Sequence, residues 1–538
     1  MRNKGEGLGE NPMERIGRET KKTILLVAVC LSAVVLVWAF KYKENYNYLD
    51  SNATWHVLLT IQAYDETPAS VHKFLPIVSL GDEMDKHIQW AEMVADEQGN
   101  YYYTSFSPAG FALPYFCLKL FHLPVTEGSL YIFNTILCCL ALVFTMKLFA
   151  DIFQKYLRRE IVLILTALLF AFQTEIMHGM GAVYWHQSLT QVLLPLQFLC
   201  FFHFEEGKKW RVGYYILAVI MPYVEWTGFL SNVGVALGLF FKHGIRIQKK
   251  DFMRAFWTAV CTVVALLLLC GHYLSVVDLE SFRQALQDRY HMRTTYAYAT
   301  TFNLLWGYWK SFKTLWILLP ILGISCVILN KGVKWIVEWV VLLPMLFVML
   351  FPVIENIVMK EHAISYTYDR MKCIYPLLLC VFWFLAAIPK DKKWFLGGVA
   401  GLMVLLSVIG VRNYLQNTEY LWQAPYRTNN EILAEYCKEH YHEDSLYGLK
   451  NAAVRGYVNM LFDRGMYENI SEEKLLEAAA ERDAKYAVLV EVASEPAPAN
   501  TWHMYALAGV NVYDVENGTQ TYIHVVDGEI VEEEGERQ

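Results

Sequence analysis

The sequence predicts a mainly α, polytopic membrane protein with about eleven transmembrane helices. A long first extracytoplasmic loop with interfacial helices and a small C-terminal extracytoplasmic α/β domain complete the expected architecture. Three observations carry this reading. Apolar runs almost free of charge recur from residue 23 to residue 411. Basic residues gather in the short links between alternate runs, as they do on the inner side of membranes. Beyond residue 411 the chain turns polar and mixes helical with strand-like periodicity.

Composition excludes most other classes. The 538 residues carry a net charge of −7 and are 15% aromatic, and only 18% are charged, against about 25% in soluble chains. A soluble multidomain enzyme, a disordered scaffold and a secreted disulfide framework are therefore excluded. The absence of a basic domain argues against nucleic-acid binding. Of 11 cysteines, only Cys437 lies beyond residue 411, and none forms a CxxC pair.

The elements follow in chain order. Residues 1–22 form a tail with Arg15, Arg18, Lys21 and Lys22 beside the membrane, which places the amino terminus in the cytoplasm. The uncharged run 23–40 is long enough for a first span. Further spans are expected near 128–149, 161–178, 184–204, 255–277, 314–329, 335–358, 372–388 and 394–411. Inner links are marked by Lys155, Arg158 and Arg159, then by Lys208, Lys209 and Arg211, and by Lys242, Arg246, Lys249 and Lys250. Lys331 with Lys334, and Lys390 with Lys392 and Lys393, mark two more. Residues 212–241 have basic flanks on both sides, so two passes are expected there, turning outside at Glu225-Trp226-Thr227-Gly228.

Three segments then face outside: 41–127, 278–313 and 412–538. In the last, Asn429–Tyr441 and Ser471–Arg482 read as helices, the second with a serine N-cap and Glu472 and Glu473 in its first turn. Tyr486–Val492 and Thr521–Val526 read as strands. In the first loop, Thr54–Glu66 forms a helix with a broad apolar side and His56 and Thr60 on a polar stripe, a pattern suited to the interface plane. An aromatic turn, Gly99–Tyr115, follows and breaks at Pro108 into another membrane-level helix.

This succession resembles the GT-C glycosyltransferases: basic tail, one span, Asp50 just beyond it, interfacial helix, Tyr-rich turn and the Ser107-Pro108-Ala109-Gly110 helix start. The order is closest to the protein O-mannosyltransferase and aminoarabinose-transferase branch. That branch has an Asp-Glu pair directly after the first span, where this chain has Asp50 alone and carries Asp65-Glu66 at the far end of the helix. It often has Lys-Pro-Pro where this chain has Phe106-Ser107-Pro108. The departures bear on which carboxylate is the catalytic acid and leave the architecture intact.

The resemblance implies transfer of a sugar, with inversion, from a polyprenyl-phosphate donor to an outer-face lipid, glycan or protein acceptor. Such chemistry needs a carboxylate to take the acceptor proton and cations to stabilise the departing phosphate. Asp50 is the first candidate base, or else a helix cap; Asp65 and Glu66 are alternatives. Glu175, at the outer end of a span with His178 and His186 nearby, is a functional candidate or a paired carboxylate. Glu225 at the outer turn is similar. Positive charge on the outer side breaks the inside bias, so Arg370, Lys372, Arg289 and Arg293 are read as donor-phosphate ligands. The alternative for Arg370 is an ion pair with Asp369 or Glu361.

His56, Tyr101, Tyr102 and Tyr103 are candidates for substrate contact, whereas Trp185, Trp226, Trp306 and Trp309 read as an interfacial belt. Asp82, Glu83 and Asp85 with His87 either hold a divalent metal or form a solvated loop; no cofactor is indicated. The expected location is a bacterial plasma membrane, with the site on the extracytoplasmic face. A transporter or flippase of lipid-linked glycans is the competing reading, but matched halves with broken helices are not evident in the sequence.

Overall fold

A computed structural model describes residues 12–42, 48–81, 93–181, 183–242, 248–295, 297–329, 339–389, 391–416, 426–450, 455–492 and 506–536. The chain is mainly helical with a C-terminal sheet domain. Among the described residues, five helices are long and apolar enough to cross a membrane: Glu19–Val37, Glu127–Phe153, Lys249–Tyr273, Tyr368–Ala387 and Trp394–Arg412. A bent pair, Thr301–Ser311 with Lys313–Leu329, makes a sixth if taken as one span.

Local chemistry explains where helices start and stop. Thr126 Oγ1 accepts from Ser129 N (3.3 Å), and Glu127 occupies the first turn of the helix it caps. The expected run 161–178 is interrupted at Gln173: one helix spans Arg159–Ala171 and a short one Thr174–Gly179. The run 212–241 is split as well. Helices Lys208–Val224 and Thr227–Phe241 flank Glu225-Trp226, and Gly228 allows the turn to close, since a Cβ there would sit 2.2 Å from the Met221 carbonyl carbon.

The first outer loop folds against the bundle. Helix Tyr48–Glu66 is followed by strands β1 (Met93–Ala95) and β2 (Tyr101–Tyr103), an antiparallel pair pairing Val94 with Tyr102. The helix is more enclosed than the interface-plane expectation allows. Val57, Leu58, Leu59, Ile61 and Ala63 are fully buried, and so is Thr60 on the polar stripe. The reason is a covering domain: Trp55 packs edge-on against Tyr457 with ring centroids 4.9 Å apart, and Gln62 hydrogen-bonds Asp463.

That covering domain is a six-stranded mixed sheet in the order β4-β3-β5-β6-β7-β8. Its strands are β3 (Ser445–Leu449), β4 (Tyr467–Glu468), β5 (Tyr486–Val492), β6 (Leu507–Asp514), β7 (Thr519–Val526) and β8 (Glu529–Glu536). Alternation separates two cores, as the strand period requires. Tyr447, Val488 and Val490 face Leu433, Cys437 and Val458, while Leu446, Ala487 and Leu489 face Leu475 and Ala479. Ser471 precedes helix Glu472–Glu481 in extended conformation but makes no side-chain cap bond.

Candidate active site

Four segments converge beside the first loop: the turn after β2, the Glu225-Trp226 break, helix Leu279–Thr295, and residues 355–373. Between them lies a cavity of about 200 Å³ lined by Ser105, Trp226, Arg289, Arg293, Glu355 and His362, with apolar walls from Phe106, Leu286, Tyr290 and Met359. The turn is clamped from two sides. Trp226 Nε1 donates to Ser105 O (2.8 Å), and Tyr273 OH donates to Phe106 O (2.6 Å).

Two arginines one helical turn apart reach the cavity wall. Arg289 Nε donates to Ser105 Oγ (2.7 Å) and its Nη2 to Tyr103 OH (3.1 Å). Arg293 Nη1 donates to Glu361 Oε2 (3.0 Å), and Glu361 Oε1 also accepts from Tyr298 OH (2.9 Å). The imidazole of His362 completes this wall. Its Nδ1 lies 3.2 Å from Asp369 Oδ2. Burial and the Arg293 charge hold His362 down to about 4, against opposition from Asp369 and Glu361, so the ring is neutral near pH 7.

Behind the cavity is a buried ionic layer. Arg370 donates from Nη2 to Glu175 Oε1 (3.0 Å), from Nε to Ser311 Oγ (2.8 Å) and from Nη1 to Ala363 O (2.6 Å). Lys372 Nζ donates to Glu355 Oε2 (2.5 Å), Asp369 Oδ1 (2.9 Å) and Thr227 Oγ1 (3.1 Å). Gln187 Nε2 donates to the same Asp369 oxygen at 3.2 Å. Such charges are tolerated in a low-dielectric interior because each faces an opposite charge and further hydrogen bonds.

The residues singled out from the sequence fall into separate environments. Arg289 and Arg293 line the cavity, with Tyr103 bonded to the first. Arg370, Lys372 and Glu175 lie in the ionic layer and are almost fully buried. Glu225 Oε2 accepts from Thr227 N (3.0 Å), and its other oxygen has no hydrogen-bond partner among the described residues. His186 Nε2 is 2.8 Å from Ser107 O and packs where a Cβ on Gly110 would clash. His56 packs on Tyr103, Phe111 and Trp185. His178 is buried in helix Thr174–Gly179.

Others lie apart. Asp65 pairs with Lys119 at the surface (2.6 Å), and Glu66 Oε2 accepts from Gly81 N (3.1 Å). Tyr101 sits half-buried in β2, and Tyr102 OH donates to Asp96 Oδ2 (3.0 Å) inside the hairpin. Asp50 stands in the first turn of helix Tyr48–Glu66, but its side chain lies outside the described residues, as do Asp82, Glu83, Asp85 and His87 altogether. Among the described residues no group of three or more His, Cys, Asp or Glu could hold a metal ion.

Sequence reasoning missed Glu355, His362, Ser105 and Trp226 as wall residues. Glu355 carried a usable signal, being the only charge in the apolar run 339–358. His362 and Ser105 carried none, because their place depends on how separate segments pack.

No sequence-family model and no curated protein sequence matches the chain. Solved structures do. The oligosaccharyltransferase of Archaeoglobus fulgidus, tethered to an acceptor peptide containing the NVT sequon, superposes with a TM-score of 0.53 at 11% identity, covering 86% of this chain and 68% of that one. Its apo form gives a TM-score of 0.50 at 11% identity, over 85% and 69% of the two chains.

This chain has the GT-C glycosyltransferase fold. The cavity lies between the first loop, helix Leu279–Thr295 and residues 355–362, and Arg289 and Arg293 on its wall are two of the cations that break the inner-side bias in the sequence.

Proposed function

We propose that this protein is a membrane glycosyltransferase that takes a sugar from a polyprenyl-phosphate donor and transfers it, with inversion, to an outer-face lipid, glycan or protein acceptor. The observation that carries this reading is the Arg289–Arg293 pair lining a partly open cavity in a GT-C fold. An acceptor hydroxyl attacks the anomeric carbon, the bond from that carbon to the phosphate oxygen breaks, and the lipid phosphate departs between the two guanidinium groups. A carboxylate takes the acceptor proton, and Asp50 is assigned that part. Arg289 is suited to the phosphate because Ser105 and Tyr103 orient its planar fork of donors at the cavity wall.

Arg370 and Lys372 are given a different part from the one their sequence position suggested. Both lie among buried carboxylates behind the cavity, whereas Arg293, though paired with Glu361, reaches the cavity wall. They hold residues 361–373 in register and thereby position His362 and Glu361. Glu175 and Glu225 act in the same supporting layer, and the aromatic surfaces of Tyr103 and Trp226 flank the sugar.

The chain is read as crossing a bacterial plasma membrane eleven times, roughly as the charge pattern implies. Shorter apolar helices support a count above six. Thr227–Phe241 and Leu342–Val358 are examples.

The test uses proteoliposomes, a radiolabelled polyprenyl-phosphate sugar and native lipid or glycan acceptors. Transfer should occur with wild type and fall roughly 100-fold or more in Asp50→Asn and Arg289→Gln, the effect of losing a base or an anion ligand. Equal transfer by wild type and Asp50→Asn removes the base assignment. Movement of labelled lipid across the bilayer with no donor consumed replaces the reading with transport.

A further inference from the structure

Helix Thr301–Ser311 meets helix Lys313–Leu329 at 85°. With 11 residues, it is about 16 Å long, roughly half the hydrocarbon core. At that angle it runs sideways from the end of an apolar helix. Its two sides differ sharply. Phe302, Leu305, Trp306 and Trp309 follow helical spacing along one side and are exposed by 73%, 61%, 50% and 37%. The opposite side, Leu304, Gly307, Tyr308 and Ser311, is buried. Lys310 Nζ lies 5.7 Å from the Trp306 ring centroid, which turns its charge along the apolar side.

We propose that this helix is seated in the outer-leaflet interface, its apolar side in contact with the boundary between phospholipid headgroups and acyl chains. Three features choose lipid as the occupant. The right-angle junction with an apolar helix that begins at Lys313 puts the segment where that helix leaves the hydrocarbon. Two tryptophans and a lysine are the side chains that prefer headgroup level. Four aromatic or aliphatic residues at i, i+3, i+4 and i+7 make the apolar side of an interface-lying helix.

The buried side gives the placement a consequence. Ser311 Oγ contacts both Glu175 Oε1 (2.5 Å) and Arg370 Nε (2.8 Å), and Tyr308 OH accepts from Asn356 Nδ2 (2.7 Å). One helix therefore touches lipid on one side and the ionic layer behind the cavity on the other. Its contact with lipid sets the height of that layer relative to the membrane surface. This placement does not rest on the catalytic reading.

The experiment encodes a fluorescent amino acid in the full chain at Phe302 or Leu305, both exposed and so tolerant of replacement. Leu267, 65% exposed on helix Lys249–Tyr273, serves as the deep reference, and Glu473 on the sheet domain as the aqueous one. Quenching is read in liposomes of phospholipids brominated high on the acyl chain, of phospholipids brominated near its end, and with iodide in the water. Positions 302 and 305 should be quenched about twofold more by the high bromines than by the deep ones, with position 267 reversed and 473 answering only to iodide. Iodide quenching at 302 and 305 equal to that at 473 would overturn the proposal in favour of a water-facing helix. Shielding from every quencher would replace lipid with a protein partner, and a depth profile like that of 267 would replace interface with span.

Discussion

Arg370 and Glu175 stand 195 residues apart in sequence and meet with Nη2 3.0 Å from Oε1, both side chains nearly excluded from solvent. The contact ties helix Thr174–Gly179 to the segment that carries His362. Each charge compensates the other, because neither could be left buried alone without a large cost.

Glu175→Gln or Arg370→Gln should each destabilise the protein by about 3–5 kcal/mol, the cost of an uncompensated buried charge. The double variant should lose less than the sum of the two, since the lone charge is gone. Thermal unfolding in detergent measures all three. Additive losses would mean that the two residues do not act as a pair.

Gly307→Ala tests how tightly the guanidinium is enclosed. A Cβ there would lie 2.8 Å from Arg370 Nη1. Arg370 must move to admit it, breaking bonds to Ala363 O or Ser311 Oγ, at a cost of about 1–3 kcal/mol. Gly410→Ala is the control, because its nearest neighbour would be 3.6 Å away. The lowered melting temperature should appear in the first variant only.

His362 makes stability depend on pH with a definite sign. Its ring is held down to about 4 in the folded chain, against about 6.5 when unfolded. Between those values the unfolded chain binds more protons, so stability falls as pH drops from about 6.5 to about 4, by up to ~3 kcal/mol. Above pH 6.5 this contribution is complete and flat. His362→Gln should remove that slope in melting temperatures recorded across the window; an unchanged slope would assign it to other groups.

Trp55 and Asp463 dock the sheet domain on the first-loop helix. In Trp55→Ala, amide exchange in helix Arg455–Phe462 should rise about tenfold, as roughly 1.4 kcal/mol of local stability would give. Strand β5, in the middle of the sheet, should keep its protection. Equal acceleration in both would show that Trp55 supports the whole domain rather than its docking.

The fold was largely legible in the sequence where local pattern decides structure. Apolar length marked helices such as Glu127–Phe153, and alternation marked β5 and β7. The chain turn at Glu225-Trp226 followed from basic flanks on both sides of residues 212–241. Helix Tyr48–Glu66 was legible as a helix but not as an enclosed one, because its cover comes from Tyr457 and Asp463, some four hundred residues away.

The candidate site was legible in its ingredients and not in its arrangement. Outer-side charge pointed to Arg289, Arg293, Arg370 and Lys372 alike, since each breaks the same rule. Packing separates them: Arg289 and Arg293 reach the cavity wall, Arg293 paired there with Glu361, while Arg370 and Lys372 lie behind it against Glu175, Glu355 and Asp369. Nothing local distinguishes these cases.

Hydropathy and charge are sums over neighbouring residues, so the sequence by itself determined a helical membrane chain with a polar sheet domain at its end. Whether a given cation remains available to a ligand depends on which carboxylate the fold brings within about 3 Å, where a pair in a low-dielectric interior is held strongly. That choice is made between residues far apart in the chain. Only the tertiary structure decided it, pairing Arg293 with Glu361 at the cavity wall and Arg370 and Lys372 with Glu175, Glu355 and Asp369 behind it.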